Sequence, residues 1–140
     1  MSDNLIFHFD VSGNDFTSAG QAPVQVKKNL RQLGFTPEII RRVSIAMYEG
    51  EINMVIHAGG GTADVIVSEK YIEIVLQDSG PGIKDIEQAM QAGYSTATDT
   101  IRSLGFGAGM GLPNMKKNTD SMEIKSTLGV GTCITMRVLL

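Results

Sequence analysis

The sequence predicts an α+β fold: a two-layer sandwich with one mixed β-sheet covered by helices on one face. Three observations carry this reading. Apolar residues alternate with period two near both ends and in the middle of the chain, helical patterns fall between those segments, and the strand-like segments come mostly in adjacent pairs. A length of 140 residues suits a single domain, 1–140, with one core.

The elements follow in order. LIFHFDV alternates and reads as a strand over 5–11. A helix over 22–33 stops at Gly34. Thr36 then offers an N-cap and Pro37 a first helical residue, so a second helix runs over 37–57 to the Gly59-Gly60-Gly61 stop. ADVIVSE and YIEIVLQ are strands joined by a turn at Glu69-Lys70. A short helix covers 83–92, and the glycine-rich stretch 93–111 reads as a mobile loop. A further helix begins over 112–118, and MEIKSTL and TCITMRVL form two final strands around Gly129-Val130-Gly131.

Composition excludes several classes. A net charge of −3 without a basic block argues against nucleic acid as a partner. No stretch reaches the ~20 apolar residues of a membrane span. The N-terminal MSDNLIFHFD lacks the pattern of a signal peptide, which fits a cytoplasmic protein. The single cysteine, Cys133, leaves no intrachain disulfide or multi-cysteine metal site and reads as a buried strand thiol.

Candidate chemistry sits in three places. In YIEIVLQD, Ile72, Ile74, Leu76 and Asp78 share a face, so a carboxylate enters the apolar layer at a strand end, where an unpaired charge is costly. Asp78-Ser79-Gly80-Pro81-Gly82 is also a good local turn. In the last strand, Thr132 shares a face with Ile134, Met136 and Val138; with Asp78 it suggests a pocket floor. On the long helix, Glu49 and Asn53 lie four residues apart among Ile45, Ala46, Ile52 and Ile56, whereas Glu51 points away, near Met47 and Met54. That pair supplies hard oxygen ligands suited to Mg²⁺, a general base, or only a solvated edge. His57, one turn on, reads as a helix-end residue. Third, SLGFGAGMGLPNMKK spaces glycines at 105, 107, 109 and 111 before a helix. Its backbone N–H groups could cradle phosphate, or it is a linker; neither a Walker nor a Rossmann pattern is present.

The ordered set EGEIN, DSGPG, GFGAGMG and GVGT over 39–138 resembles the GHKL, or Bergerat-fold, superfamily of ATPases and kinases. Within it, the short chain most resembles the bacterial anti-sigma-factor and switch-protein serine kinases. The resemblance implies ATP and Mg²⁺ as cofactors. It implies that Asp78 accepts a hydrogen bond from the adenine amino group, that the base lies against Gly80 and Gly82, and that Thr132 helps fix it. It implies Asn53 as the Mg²⁺ ligand and Glu49 as the general base. The backbone of Gly107, Ala108, Gly109, Met110, Gly111 and Leu112 would wrap the phosphates. Gly50-Glu51 departs from the small or apolar residues expected after that glutamate. The implied function is transfer of the ATP γ-phosphate to a small antagonist protein in a partner-switching circuit, with a sigma factor as a further partner and a homodimer as the assembly. The alternatives are an ATP-sensing anti-sigma module with little transferase activity and a fragment of a larger ATPase.

Overall fold

The structure, a computed structural model, describes residues 4–12, 21–83, 86, 90 and 111–140. Strand β1 (Leu5–Ser12) precedes helices α1 (Gln21–Gln32) and α2 (Pro37–Ala58); β2 (Gly60–Val67) and β3 (Tyr71–Gln77) follow. Helix α3 (Gly111–Lys117) then leads into β4 (Ser121–Thr127) and β5 (Gly131–Leu139). The strands form one sheet in the order β1-β2-β3-β5-β4.

The α+β sandwich stands, but the sheet is antiparallel in all four described pairings rather than mixed. β3 and β4 do run parallel to one another, as a strand–helix–strand crossover directs, but β5 lies between them and pairs with both. β2 also starts three residues earlier than expected, because Gly60 and Gly61 enter the sheet opposite Ser12 and Val11. Of 83–92, only positions 83, 86 and 90 are described; Met90 N donates to Ile86 O at 3.0 Å, one helical turn. The stretch 93–110 lies outside the described residues.

α2 has the ends its sequence encodes. Thr36 Oγ1 accepts from Ile39 N at 3.3 Å, Pro37 occupies the first turn, and the Gly59 N–H returns to Met54 O. Its buried side carries Ile40, Val43, Met47, Gly50, Glu51, Met54 and Val55. Glu51 is thus a core-facing residue at 6% exposure, while Glu49 and Asn53 lie on the half-buried flank. α2 is apolar on more than one side, so local pattern did not say which side meets the sheet.

The helix-facing side of the sheet is the core: Ala63, Val65 and Val67 from β2, Ile72, Ile74 and Leu76 from β3, and Ile134, Met136 and Val138 from β5. The opposite face carries His8 between Asp10 and Asp64, and Arg137 paired with Glu73 at 3.0 Å. Cys133 belongs to that opposite side and is half-exposed, not a core thiol, because Thr132 and Ile134 take the inward positions.

Gly50 sets how closely α2 lies on β3. A methyl group there would come within 2.1 Å of Leu76 Cδ1, and Leu76 is 2% exposed with little room to yield. Gly50→Ala should therefore lower stability by about 1–3 kcal/mol, despite the ~1 kcal/mol that alanine adds to helix propensity. Denaturant unfolding checks this. In a Leu76→Ala background the same substitution should be neutral or stabilising.

Candidate functional site

The end of β3 is held by its own carboxylate. Pairing with β5 continues one step past Gln77, since Asp78 N donates to Thr132 O at 2.9 Å. Asp78 Oδ1 then accepts from Thr132 N at 3.1 Å and from Gly80 N at 3.0 Å. The local-turn reading holds, and the same oxygen also reaches across to β5. Oδ1 is committed to backbone; no described residue donates to Oδ2, and the side chain is half-buried. A carboxylate so oriented presents a fixed acceptor.

The loop after Asp78 is seated on both sides. A side chain at Gly80 would strike Ala58 of α2 at 2.6 Å, and Gly82, at φ +81°, has Thr127 O 2.6 Å from where a Cβ would stand. Pro81 O accepts from Gly129 N at 2.9 Å, and Ile83 N donates to Ser126 Oγ at 2.7 Å. Ser126 Oγ in turn lies 2.9 Å from Thr132 Oγ1, and Thr132 is 7% exposed. Asp78, Thr132 and Ser126 thus stand side by side across β3, β5 and β4. The sequence reading found the first two and missed Ser126. The signal was present, because Ser126 is in phase with Met122 and Ile124, which pack against the core.

The second half of the site is on α2. Asn114 Nδ2 of α3 donates to Glu49 Oε1 at 3.4 Å, and a methyl group on Gly111 would lie 3.7 Å from Glu49 Oε2. Burial pushes the Glu49 carboxyl above its ordinary value, and the Asn114 bond opposes that. Asn53, one turn further along, is half-buried and makes no side-chain hydrogen bond to a described residue. His57 sits in the last turn of α2, where burial lowers its pKa. Gly111 and Leu112 open α3; Leu112 is buried and anchors it. Gly107, Ala108, Gly109 and Met110 lie outside the described residues.

Arg42 fixes α3 against α2. Its Nε donates to Asn118 O at 3.1 Å and its Nη2 to Asp120 Oδ2 at 3.1 Å. Leu139 N also donates to Asp120 Oδ2, at 2.7 Å. That backbone bond first, and Arg42 second, hold the Asp120 carboxyl below its usual range. Nothing local in the sequence joins positions 42 and 120.

Among the described residues, no group of three or more His, Cys, Asp or Glu side chains could hold a metal by itself. An amide oxygen one helical turn from a carboxylate nevertheless suits Mg²⁺, which binds through one or two protein ligands plus phosphate and water. No helix among the described residues is long and apolar enough to cross a membrane.

Comparison with known proteins adds to this geometry. A family model for the histidine kinase-like ATPase domain matches residues 14–138. The anti-sigma F factor of Clostridium novyi (strain NT) is 36% identical over 141 aligned positions, covering 91% of this chain and 95% of that one. The serine/threonine-protein kinase RsbT of Bacillus subtilis (strain 168) is 32% identical over 113 positions, covering 77% and 79%. The mycobacterial sensor histidine kinase MprB superposes with a TM-score of 0.54 at 15% identity, over 96% of this chain and 97% of that one. A chain of the SiaB–SiaC complex from Pseudomonas aeruginosa gives 0.57 at 10%, over 96% and 89%. At those identities the structural likenesses speak to fold alone.

The Arg42 clamp yields a stability prediction. Its side chain is 19% exposed and Asp120's is 35%, so the ion pair keeps part of its strength, and the Asn118 bond adds to it. Arg42→Ala should cost about 1–2 kcal/mol in urea unfolding. Arg42→Lys should restore only part of that, since lysine lacks the forked donor. Glu123→Ala, which breaks a pair exposed by 66% and 78%, should change stability by less than about 0.5 kcal/mol.

Proposed function

The chain belongs to the histidine kinase-like ATPase family, and on that premise we propose that it binds Mg-ATP and passes the γ-phosphate to a serine or threonine of a small partner protein. It would act in the cytoplasm as an anti-sigma regulator in a partner-switching circuit, with a sigma factor as a second partner and a homodimer as the working assembly. The names of its relatives support this, as anti-sigma F factors and a serine/threonine kinase.

The observation that carries the reading is the divided role of Asp78. One oxygen is spent on two backbone N–H groups, which leaves Oδ2 as an oriented acceptor for the adenine amino group. Thr132 contributes its hydroxyl, and the base lies against the seated loop of Gly80 and Gly82. α2 orders the rest. Ala58 touches that loop, Asn53 is five residues back, and Glu49 is nine. At 1.5 Å per residue, Glu49 stands about 13 Å along the axis from Ala58, a separation that suits a nucleoside triphosphate laid along the helix.

Asn53 would supply an amide oxygen to Mg²⁺, which when bound neutralises the phosphate oxygens. Glu49 would take the proton from the incoming hydroxyl as its oxygen bonds to Pγ and the bond from Pγ to the bridging oxygen breaks, releasing ADP. The backbone of 107–112 would enclose the phosphates.

Calorimetry and labelled-phosphate transfer test these assignments. Asp78→Asn keeps an oxygen for the two backbone donors but turns the outward acceptor into a donor. ATP binding should weaken roughly 10- to 100-fold, with the fold retained; equal affinity would remove Asp78 from the base site. Asn53→Ala should weaken Mg-ATP binding and abolish transfer together. Glu49→Ala should leave ATP affinity nearly intact while transfer falls on the order of 10²–10⁴-fold. Exposed Glu69→Ala is the control and should change neither. Wild-type transfer by Glu49→Ala would leave an ATP-sensing binding module as the better account.

A further inference from the structure

We infer that the groove between α1 and α2 holds the segment of the partner protein that presents the acceptor serine or threonine, and that it selects an apolar residue near that hydroxyl and an acidic one further out. This rests on the phosphotransfer reading above and extends it to the sequence that the site accepts.

The groove has a volume of about 250 Å³, and Val24 and Lys27 of α1 line it together with Ile45, Tyr48 and Glu49 of α2. That is below the ~300 Å³ at which pockets for drug-sized ligands begin, so it suits a side chain or two rather than a nucleotide. Val24, at 69% exposure, and Tyr48, at 41%, leave apolar surface in water on its two walls. Glu49 belongs to the groove and to the site at once, since its Oε1 also accepts from Asn114 of α3. A hydroxyl brought to Glu49 therefore arrives with its sequence neighbours over the groove.

Charge says which neighbours fit. The chain is net −3, yet 27–42 holds five basic residues, Lys27, Lys28, Arg31, Arg41 and Arg42, against one acid, Glu38. Arg42 is engaged by Asp120 and Asn118; the other four are exposed. Arg31 lies one turn beyond Lys27 on α1, and Arg41 lies one turn before Ile45 on α2. The four-residue connection 33–36 brings those ends of the two helices together. The groove thus runs from a carboxylate, Glu49, to a basic end that attracts one.

Spacing says where they fall. At 1.5 Å per residue, Ile45 is about 6 Å from Glu49 along α2 and Arg41 about 12 Å. An extended segment advances about 3.3 Å per residue and turns alternate side chains to one side. With its serine at Glu49, the residue two places away stands about 7 Å along, in the apolar part of the groove. The residue four places away stands about 13 Å along, at the basic end. An apolar side chain gains from burial at the first place, and a carboxylate gains a cationic neighbour at the second.

The test uses the full chain and serine-centred peptides varied two and four places from the serine, on either side. Binding is read by fluorescence anisotropy with a non-hydrolysable ATP analogue present, and transfer is read with labelled ATP. On one side of the serine, leucine should outdo asparagine at the second place roughly 3- to 10-fold. Aspartate should outdo lysine at the fourth place roughly 3- to 10-fold. Val24→Asp should erase the first preference, and Lys27→Glu with Arg41→Glu should turn the second towards lysine. All three positions are exposed, so the fold and the ATP affinity should be kept. Peptides that do not bind, that bind without these preferences, or whose preferences survive the substitutions would overturn the inference. So would a Val24→Asp protein whose oligomeric state changes in sedimentation while the preferences stay, since the groove would then be a contact between copies. Binding in the expected order without transfer upholds the groove and sinks the kinase reading alone. A wild-type chain that takes the peptides in that order yet binds no ATP sinks the nucleotide reading alone.

Discussion

Asp78 Oδ1 receives one N–H from across the sheet and one from the loop that follows it, and much of the site hangs on that arrangement. It extends the β3–β5 pairing to the row of Thr132 and turns the chain towards α2. Half-burial makes the arrangement demanding: an ionised carboxylate there needs donors, and the backbone supplies two. The same two bonds hold the carboxylate plane and so decide where the second oxygen points. The oxygen that supports the structure and the oxygen left as an oriented acceptor are thus two atoms of one side chain.

α2 is the other organising part. It lies over β3 at Gly50, meets the Asp78 loop at Ala58, holds α3 through Arg42, and carries Glu49 and Asn53 between. A single helix therefore fixes the Asp78 loop relative to Glu49 and Asn53. Gly50, which costs helix propensity, is explained by the Leu76 contact beneath it.

Much of this was legible because it is local. Period-two alternation placed Asp78 and Thr132 on the inward face of their strands, and the Thr36-Pro37 start and Gly59 stop bounded α2 to within a residue. What failed was tertiary. The apolar residues of α2 spread over more than one side, so the pattern puts Glu51 near Met47 and Met54 without showing that this side is the one buried against the sheet. Sheet direction depended on β5 inserting between β3 and β4, which no single segment encodes. The Arg42–Asp120 clamp joins residues far apart in sequence, and so does the contact of Asn114 with Glu49. Ser126 and Cys133 are different, because their directions are local: Ser126 is in phase with the inward Met122 and Ile124, and Cys133 is out of phase with Thr132 and Ile134.

The row of Asp78, Thr132 and Ser126 also has a kinetic meaning. β2 with β3 and β4 with β5 are each neighbours in sequence, so these two ribbons can form early, by closing short loops. The line between them, β3 against β5, closes only after a stretch of more than fifty residues is brought round, and Asp78–Thr132 lies on that line. A molecule that grips both residues would act across a seam that needs a long loop closure. Its main effect on lifetime would then be to slow unfolding, with the rate of folding left largely unchanged.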